Sequence, residues 1–271
     1  MDKINAASGK FIISIFEKRI PILKQYGVNL TCVGNVNIFV PDHSVTAYIN
    51  RVYIGYMVNN TKGKNSEIAI KAWLDPVLLQ SVQSLLDSKE GYFKYDDCEL
   101  LVSPRYVTLM KQEVNGGMTF FSVGGNVNFA ISSILRRLLL AGYKETYPSF
   151  VPFHAASLAI LEGHGKYNAV VLSSFGSNGG VGKGKTSVML ANILNPSSKF
   201  SYVSNDDFFL DLSAENDKLI FLDLPAEIAV KEDTLGLFIK NGIHIPREIT
   251  KSDGTAIISV GNLLEIGLKV S

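Results

Sequence analysis

Cysteine is scarce in this sequence: two residues, Cys32 and Cys98, stand far apart in a chain of 271. Two thiols so placed exclude a disulfide-stapled scaffold and lack the paired spacing of a structural zinc site. Both are read as reduced, partly buried thiols. Long apolar runs are missing as well. No stretch approaches the ~18 uninterrupted apolar residues of a membrane span, and the early run FIISIF stops at Glu17-Lys18-Arg19. The N-terminal segment lacks the basic, apolar, small-residue order of a cleaved secretory signal. The expectation is a soluble, cytoplasmic protein with no membrane partner.

An excess of one charge is also absent. The 26 Lys and Arg residues nearly balance 25 Asp and Glu, leaving a formal net charge of +1. That balance argues against a broad basic face wrapped by nucleic acid. What is present is apolar material: 46% of residues are apolar and 19% charged, enough for a real core rather than disorder. The length fits one large domain or two ordinary ones.

The first 125 residues read as a mostly β module with one or two helices and no internal repeat. NLTCVGNVNIFVP and VTAYINRVYIGYMV are rich in Val, Ile, Thr and Tyr and are read as strands divided by a Pro-Asp-His-Ser turn. EIAIKAWL, YFKYDDCELLVS, YVTLMKQEV and MTFFSVGG continue the strand character. Between them, DPVLLQSVQSLLDSKEG carries Val77, Leu78, Val82, Leu85 and Leu86 at helical spacing, with Asp75 placed as N-cap. NVNFAISSILRRLLLAGY is a second helix, with Gly142 as its stop. Beyond it the pattern turns to α/β. The expected division is therefore a β-rich accessory region over 1–144 and a nucleotide-binding core over 145–271.

The core reading rests on VVLSSFGSNGGVGKGKTSVMLANIL. The Walker A pattern requires Gly, four residues, then Gly-Lys-Ser/Thr, between a strand and a helix. One register satisfies it: Gly179, then Gly180, Val181, Gly182 and Lys183, then Gly184, Lys185 and Thr186, with Ser187 next. Glycines let successive backbone N–H groups curl around phosphate oxygens, and the following helix start adds partial positive charge. Lys185 is the phosphate lysine, because only it precedes a hydroxyl able to ligate magnesium, that of Thr186. Lys183 precedes Gly184 and has no such neighbour. The same loop is also similar to that of ParA/MinD-type assembly ATPases, apart from an inserted Lys-Gly, but those carry it close to the N-terminus.

PFHAASLAI precedes the loop and YVSNDDFFLDL follows it. This order of histidine, strand, Walker A, helix and paired aspartates resembles the HPr kinase/phosphorylase superfamily, including its relatives that phosphorylate lasso-peptide precursors. That superfamily shares its core with phosphoenolpyruvate carboxykinase. The resemblance covers roughly residues 130–235. It implies a P-loop kinase core in which His154 is the active-site histidine on the strand before the loop. Lys185 and Thr186 then hold phosphate and metal. Asp206 and Asp207 become the acidic pair, one acting as base and the other helping to hold magnesium, with Asp206 preferred as base. The glycine segment is about three residues longer than in that family, and no basic C-terminal helix of the hexamer-forming kind is evident. The expectation is accordingly a kinase closer to the peptide-modifying relatives, with ATP and Mg2+ as cofactors.

Phosphoryl transfer itself needs a phosphate clamp, a divalent ion and an acceptor for the hydroxyl proton. The expected acceptor is a serine or threonine of a peptide or protein. The alternatives are a small-molecule or nucleic-acid hydroxyl, or a ParA/MinD-like ATPase working by assembly; homo-oligomer formation is left open.

Overall fold

The computed structural model describes residues 2–3, 6–42, 44–58, 67–87, 90–154, 156–163, 166–172, 200–204, 207–211, 220–223, 228–230, 236, 239–240 and 256–258. The chain is α/β, with a mostly β first part. It falls into two units, Met1–Ile49 with Tyr56–Gly142, and Asn50–Gly55 with Tyr143–Ser271.

Period-two alternation builds the first unit. β1 (Asp2–Lys3), β2 (Lys24–Leu30), β3 (Gly34–Val40), β4 (Ile68–Leu74), β5 (Gly91–Tyr95), β6 (Cys98–Val102), β7 (Tyr106–Gln112) and β8 (Met118–Gly124) form one mixed sheet. Its order is β1-β5-β6-β7-β8-β4-β3-β2. β4 lies parallel to both β3 and β8, and the hairpin-linked neighbours are antiparallel. β4 lies inside the sheet, and along it buried residues, Ile68, Ile70 and Ala72, alternate with half-buried Ala69 and Lys71.

Helices α1 (Ala6–Lys18) and α3 (Pro76–Leu85) cover one face. Ile12 and Phe16 from α1 and Leu78, Leu79 and Val82 from α3 pack with Leu100, Val107, Leu109, Phe121 and Val123 of the strands. Phe16 meets Trp73 edge-on at 6.1 Å, a geometry worth about 0.5–1.5 kcal/mol beyond area burial. Asp75 caps α3 as the sequence predicts: its Oδ1 accepts from Leu78 N at 2.8 Å, with Pro76 at the first helical position. The opposite face buries a polar pair, Thr108 and Ser122, whose hydroxyls lie 2.8 Å apart. α4 (Val127–Thr146) is tied to that face by Tyr106 Oη and Ser133 Oγ at 2.6 Å.

Three expectations for this part need correction. VTAYINRVYIGYMV is α2 (Ser44–Tyr53) followed by a 3₁₀ turn at Ile54–Tyr56, not a strand. Its β-branched and aromatic residues favour strands, but Val45, Tyr48, Ile49 and Val52 recur at helical spacing and all are buried; packing overrides propensity. NLTCVGNVNIFVP is not one strand: Asn29 and Leu30 end β2, Thr31, Cys32 and Val33 turn, with Cys32 in the left-handed region at φ 60, and Gly34–Val40 is β3. α4 does not stop at Gly142. That glycine permits close approach instead, since a Cβ there would lie 2.5 Å from the Cys32 carbonyl oxygen.

The described strands of the second unit form small antiparallel sheets. β10 (Ala156–Gly163) lies between β11 (Lys166–Leu172) and β12 (Phe200–Ser204), while β13 (Asp207–Asp211) lies between β9 (Phe150–His154) and β14 (Ile220–Asp223). β15 (Ile228–Val230) pairs with β16 (Ala256–Ile258).

Candidate functional site

The segment HAASLAIL, read as one strand, changes sheets. β9 ends at His154 on β13, and β10 begins at Ala156 between β11 and β12. The later segment YVSNDDFFL makes the reciprocal change, from β12 ending at Ser204 to β13 beginning at Asp207. Both changes occur at the same level. Ser157 pairs with Ser204 on one side of the switch, and His154 pairs with Asp207 on the other. Leu172, the last residue of β11, pairs with Ala156.

Three regions far apart in sequence thus meet at one end of the strands. β11 and β12 both run antiparallel to β10, so they run parallel to each other and end side by side with β10 between them. The cross-strand partners His154 and Asp207 have Cα atoms about 5 Å apart in a ladder of this kind. Beside them, Phe209 is buried, and its ring meets Phe150 edge-on at 4.9 Å and 82°. That ring contact fixes β9 against β13 in the register that opposes the two residues.

Of the sequence-predicted site, His154 and Asp207 lie among the described residues. Gly179, Gly180, Val181, Gly182, Lys183, Gly184, Lys185, Thr186, Ser187 and Asp206 lie outside them. The histidine was expected on the strand directly before the loop; β10 and β11 intervene, and its placement opposite Asp207 comes from register rather than from adjacency in sequence. Asp223 ends β14 opposite Phe208, one position along β13 from Asp207. Among the described residues no group of three or more His, Cys, Asp or Glu could hold a metal ion, and no helix is long and apolar enough to cross a membrane.

Sequence reasoning missed the Ser157–Ser204 pairing. The recurrence of a small polar residue three positions after the histidine and three before the second aspartate is its only trace in the sequence, and it carries no meaning until the register is known. No family model matches the chain, and no curated protein matches it.

Proposed function

We propose that the chain is an ATP- and magnesium-dependent kinase that transfers the γ-phosphoryl group to a hydroxyl, a serine or threonine of a peptide or protein, on a core of the HPr kinase type. One observation carries this reading. The strand leading into the Walker A stretch ends at Leu172 opposite Ala156, two residues from His154, and His154 in turn opposes Asp207. Phosphate-binding sequence, histidine and carboxylates are the parts phosphoryl transfer needs in one place.

In this reading the glycines from Gly179 to Gly184 present backbone N–H groups to the phosphates, and Lys185 holds the β- and γ-phosphates. Asp206 accepts the acceptor's hydroxyl proton as the oxygen attacks the γ-phosphorus, while the bond from that phosphorus to the bridging oxygen breaks and ADP leaves. Two neighbouring carboxylates repel, which favours one of them keeping a proton affinity suited to the transfer. The Thr186 hydroxyl and the Asp207 carboxylate are hard oxygen donors that would hold magnesium, and the ion would supply positive charge to the phosphates. The ParA-type reading calls for the loop on the first core strand, whereas β9 and β10 precede β11 in this unit.

The test is transfer of label from γ-labelled ATP, with magnesium, to serine- and threonine-bearing peptides. Wild type transfers; Lys185→Ala and Asp206→Ala do not, and Asp206→Ala still binds ATP. Hydrolysis that rises with dimerisation and labels no acceptor would contradict the proposal and favour the assembly ATPase.

A further inference from the structure

Two guanidinium groups of the first unit lie over aromatic rings, and neither has an ion pair among the described residues. Arg137, on α4, has its Cζ 4.8 Å from the centroid of the Tyr92 ring on β5. Arg105, between β6 and β7, lies 5.2 Å from the Phe129 ring of α4. Ion pairs among the described residues join Arg19 to Asp75 and Lys111 to Glu17; neither Arg105 nor Arg137 has one. Burial alone acts on Arg137, lowering its pKa from the ordinary guanidinium value with no carboxylate to oppose it. The surface is nonetheless open: Tyr92 is 46% and Phe129 39% exposed, and Arg105 is exposed.

The two pairs belong to one surface. Phe129, Ser133 and Arg137 recur every fourth residue and so share a flank of α4. The contact between Ser133 Oγ and Tyr106 Oη holds the residue after Arg105 against the middle of that flank. The helical rise between Phe129 and Arg137 is about 12 Å. A stacked guanidinium has its plane fixed by the ring while its edge keeps N–H groups free, the arrangement that takes a carboxylate in bidentate fashion.

We propose that Arg105 and Arg137, each braced by its ring, form a docking surface for an acidic, extended segment of a partner protein, with one carboxylate on each guanidinium. An extended chain returns every second side chain to the same face and advances about 3.3 Å per residue, so one such segment can present two separate carboxylates to two separate guanidinium groups. Charge complementarity selects the occupant, since the exposed Arg105 and the half-buried Arg137 have no ion-pair partner among the described residues. A nucleic-acid strand fits less well, because the ring faces it would stack on are engaged by guanidinium and only two cations are available for its phosphates. This surface stands independently of the phosphotransfer reading.

The test is fluorescence anisotropy of a labelled Gly/Ser peptide with glutamate at every fourth position, beside its glutamine counterpart. Wild type binds the glutamate peptide about tenfold or more tightly than the glutamine one, and less tightly as salt rises. Arg105→Gln and Arg137→Gln each weaken binding about tenfold, and Arg105→Lys restores part of the loss by keeping charge without the fork. Arg105 is exposed, so thermal unfolding of Arg105→Gln matches wild type and separates lost binding from lost fold. Equal affinity for the two peptides, or indifference to Arg105→Gln, overturns the proposal. So does preference for a single-stranded oligonucleotide or a phosphatidylserine vesicle over the glutamate peptide.

Discussion

His154 and Asp207 are cross-strand partners, set opposite one another where β9 ends and β13 begins. Fifty-two sequence positions separate them, and two reciprocal sheet changes bring them together. The pairs on either side, Ser157 with Ser204 and Ala156 with Leu172, put the last described residue before the glycine loop at the same end. His154, Asp207 and Leu172, the last described residue before the glycine-rich segment, thus share one strand-end cluster in the backbone itself.

The doubled Gly-Lys of the loop gives the first prediction. Lys185→Ala lowers affinity for ATP by at least about tenfold, the scale of a lost charge-assisted contact to phosphate. Lys183→Ala changes it less than threefold, about 0.6 kcal/mol by the affinity relation. Isothermal titration with ATP and magnesium measures both, and a larger effect at Lys183 reverses the register of the motif.

Glycines of the first unit should respond to alanine with opposite signs. A methyl at Gly9 of α1 runs into the ring carbons of Tyr95, and one at Gly142 into the Cys32 backbone. Alanine ordinarily favours a helix by up to about 1 kcal/mol over glycine. Overpacking at about 1–3 kcal/mol outweighs that gain, so Gly9→Ala and Gly142→Ala both lower stability. Gly27 in β2 has nothing within 4 Å of an added methyl, and Gly27→Ala raises stability by about 0.4–1 kcal/mol. Urea unfolding of the three variants checks the signs.

Asp75 serves both as the cap of α3 and as the ion-pair partner of Arg19, whose Nη1 lies 3.2 Å from its Oδ2. The cap dominates. Asp75→Ala costs about 1 kcal/mol, whereas Asp75→Asn keeps an acceptor for Leu78 N and costs only the exposed pair, about 0.2–1 kcal/mol. Arg19→Ala should resemble Asp75→Asn in a urea titration rather than Asp75→Ala.

Two groups predict how pH acts. Lys111 donates to Glu17 Oε1 at 3.2 Å, and this hydrogen bond holds its pKa above the ordinary lysine value of 10.5. A raised folded pKa stabilises below the unfolded value, and the benefit is lost as pH rises through the folded one. The stability gap between wild type and Glu17→Gln, small because both side chains are exposed, should persist at neutral pH, begin to narrow near the ordinary lysine value and close once pH passes the raised folded one. Asp42 accepts from the Ser44 hydroxyl and backbone N–H, which lower its pKa. Its contribution is present above the ordinary carboxylate range and fades as pH falls through the lowered value. An NMR titration should show Asp42 ionising below free aspartate and moving up in Ser44→Ala.

How far the sequence could be read depended on where the information is local. Asp75 announced the start of α3 because a cap is a contact between near neighbours, and the strands β4 to β8 announced themselves by alternation. α2 was misread because its valines, isoleucines and tyrosines favour strands on composition, and only burial reveals the helical stripe of Val45, Tyr48, Ile49 and Val52. Gly142 was misread as a stop because nothing in its neighbours foretells the approach of Cys32. At the candidate site the residue types and their order were legible, since Walker A chemistry is written in consecutive positions. The pairing of His154 with Asp207 was not, because antiparallel register across two sheet changes is a long-range property.

A double-mutant cycle on single-turnover phosphoryl transfer to an acceptor peptide bears most directly on the claim that His154, Asp207 and the glycine loop form one site. The variants are His154→Gln, Asp207→Asn and both together, with ATP binding measured for each. The account predicts transfer by wild type, losses of about 100-fold or more in each single variant, and a double variant little worse than either, as residues acting as a unit behave. Absence of transfer by wild type, or losses that simply multiply in the double variant, would contradict it.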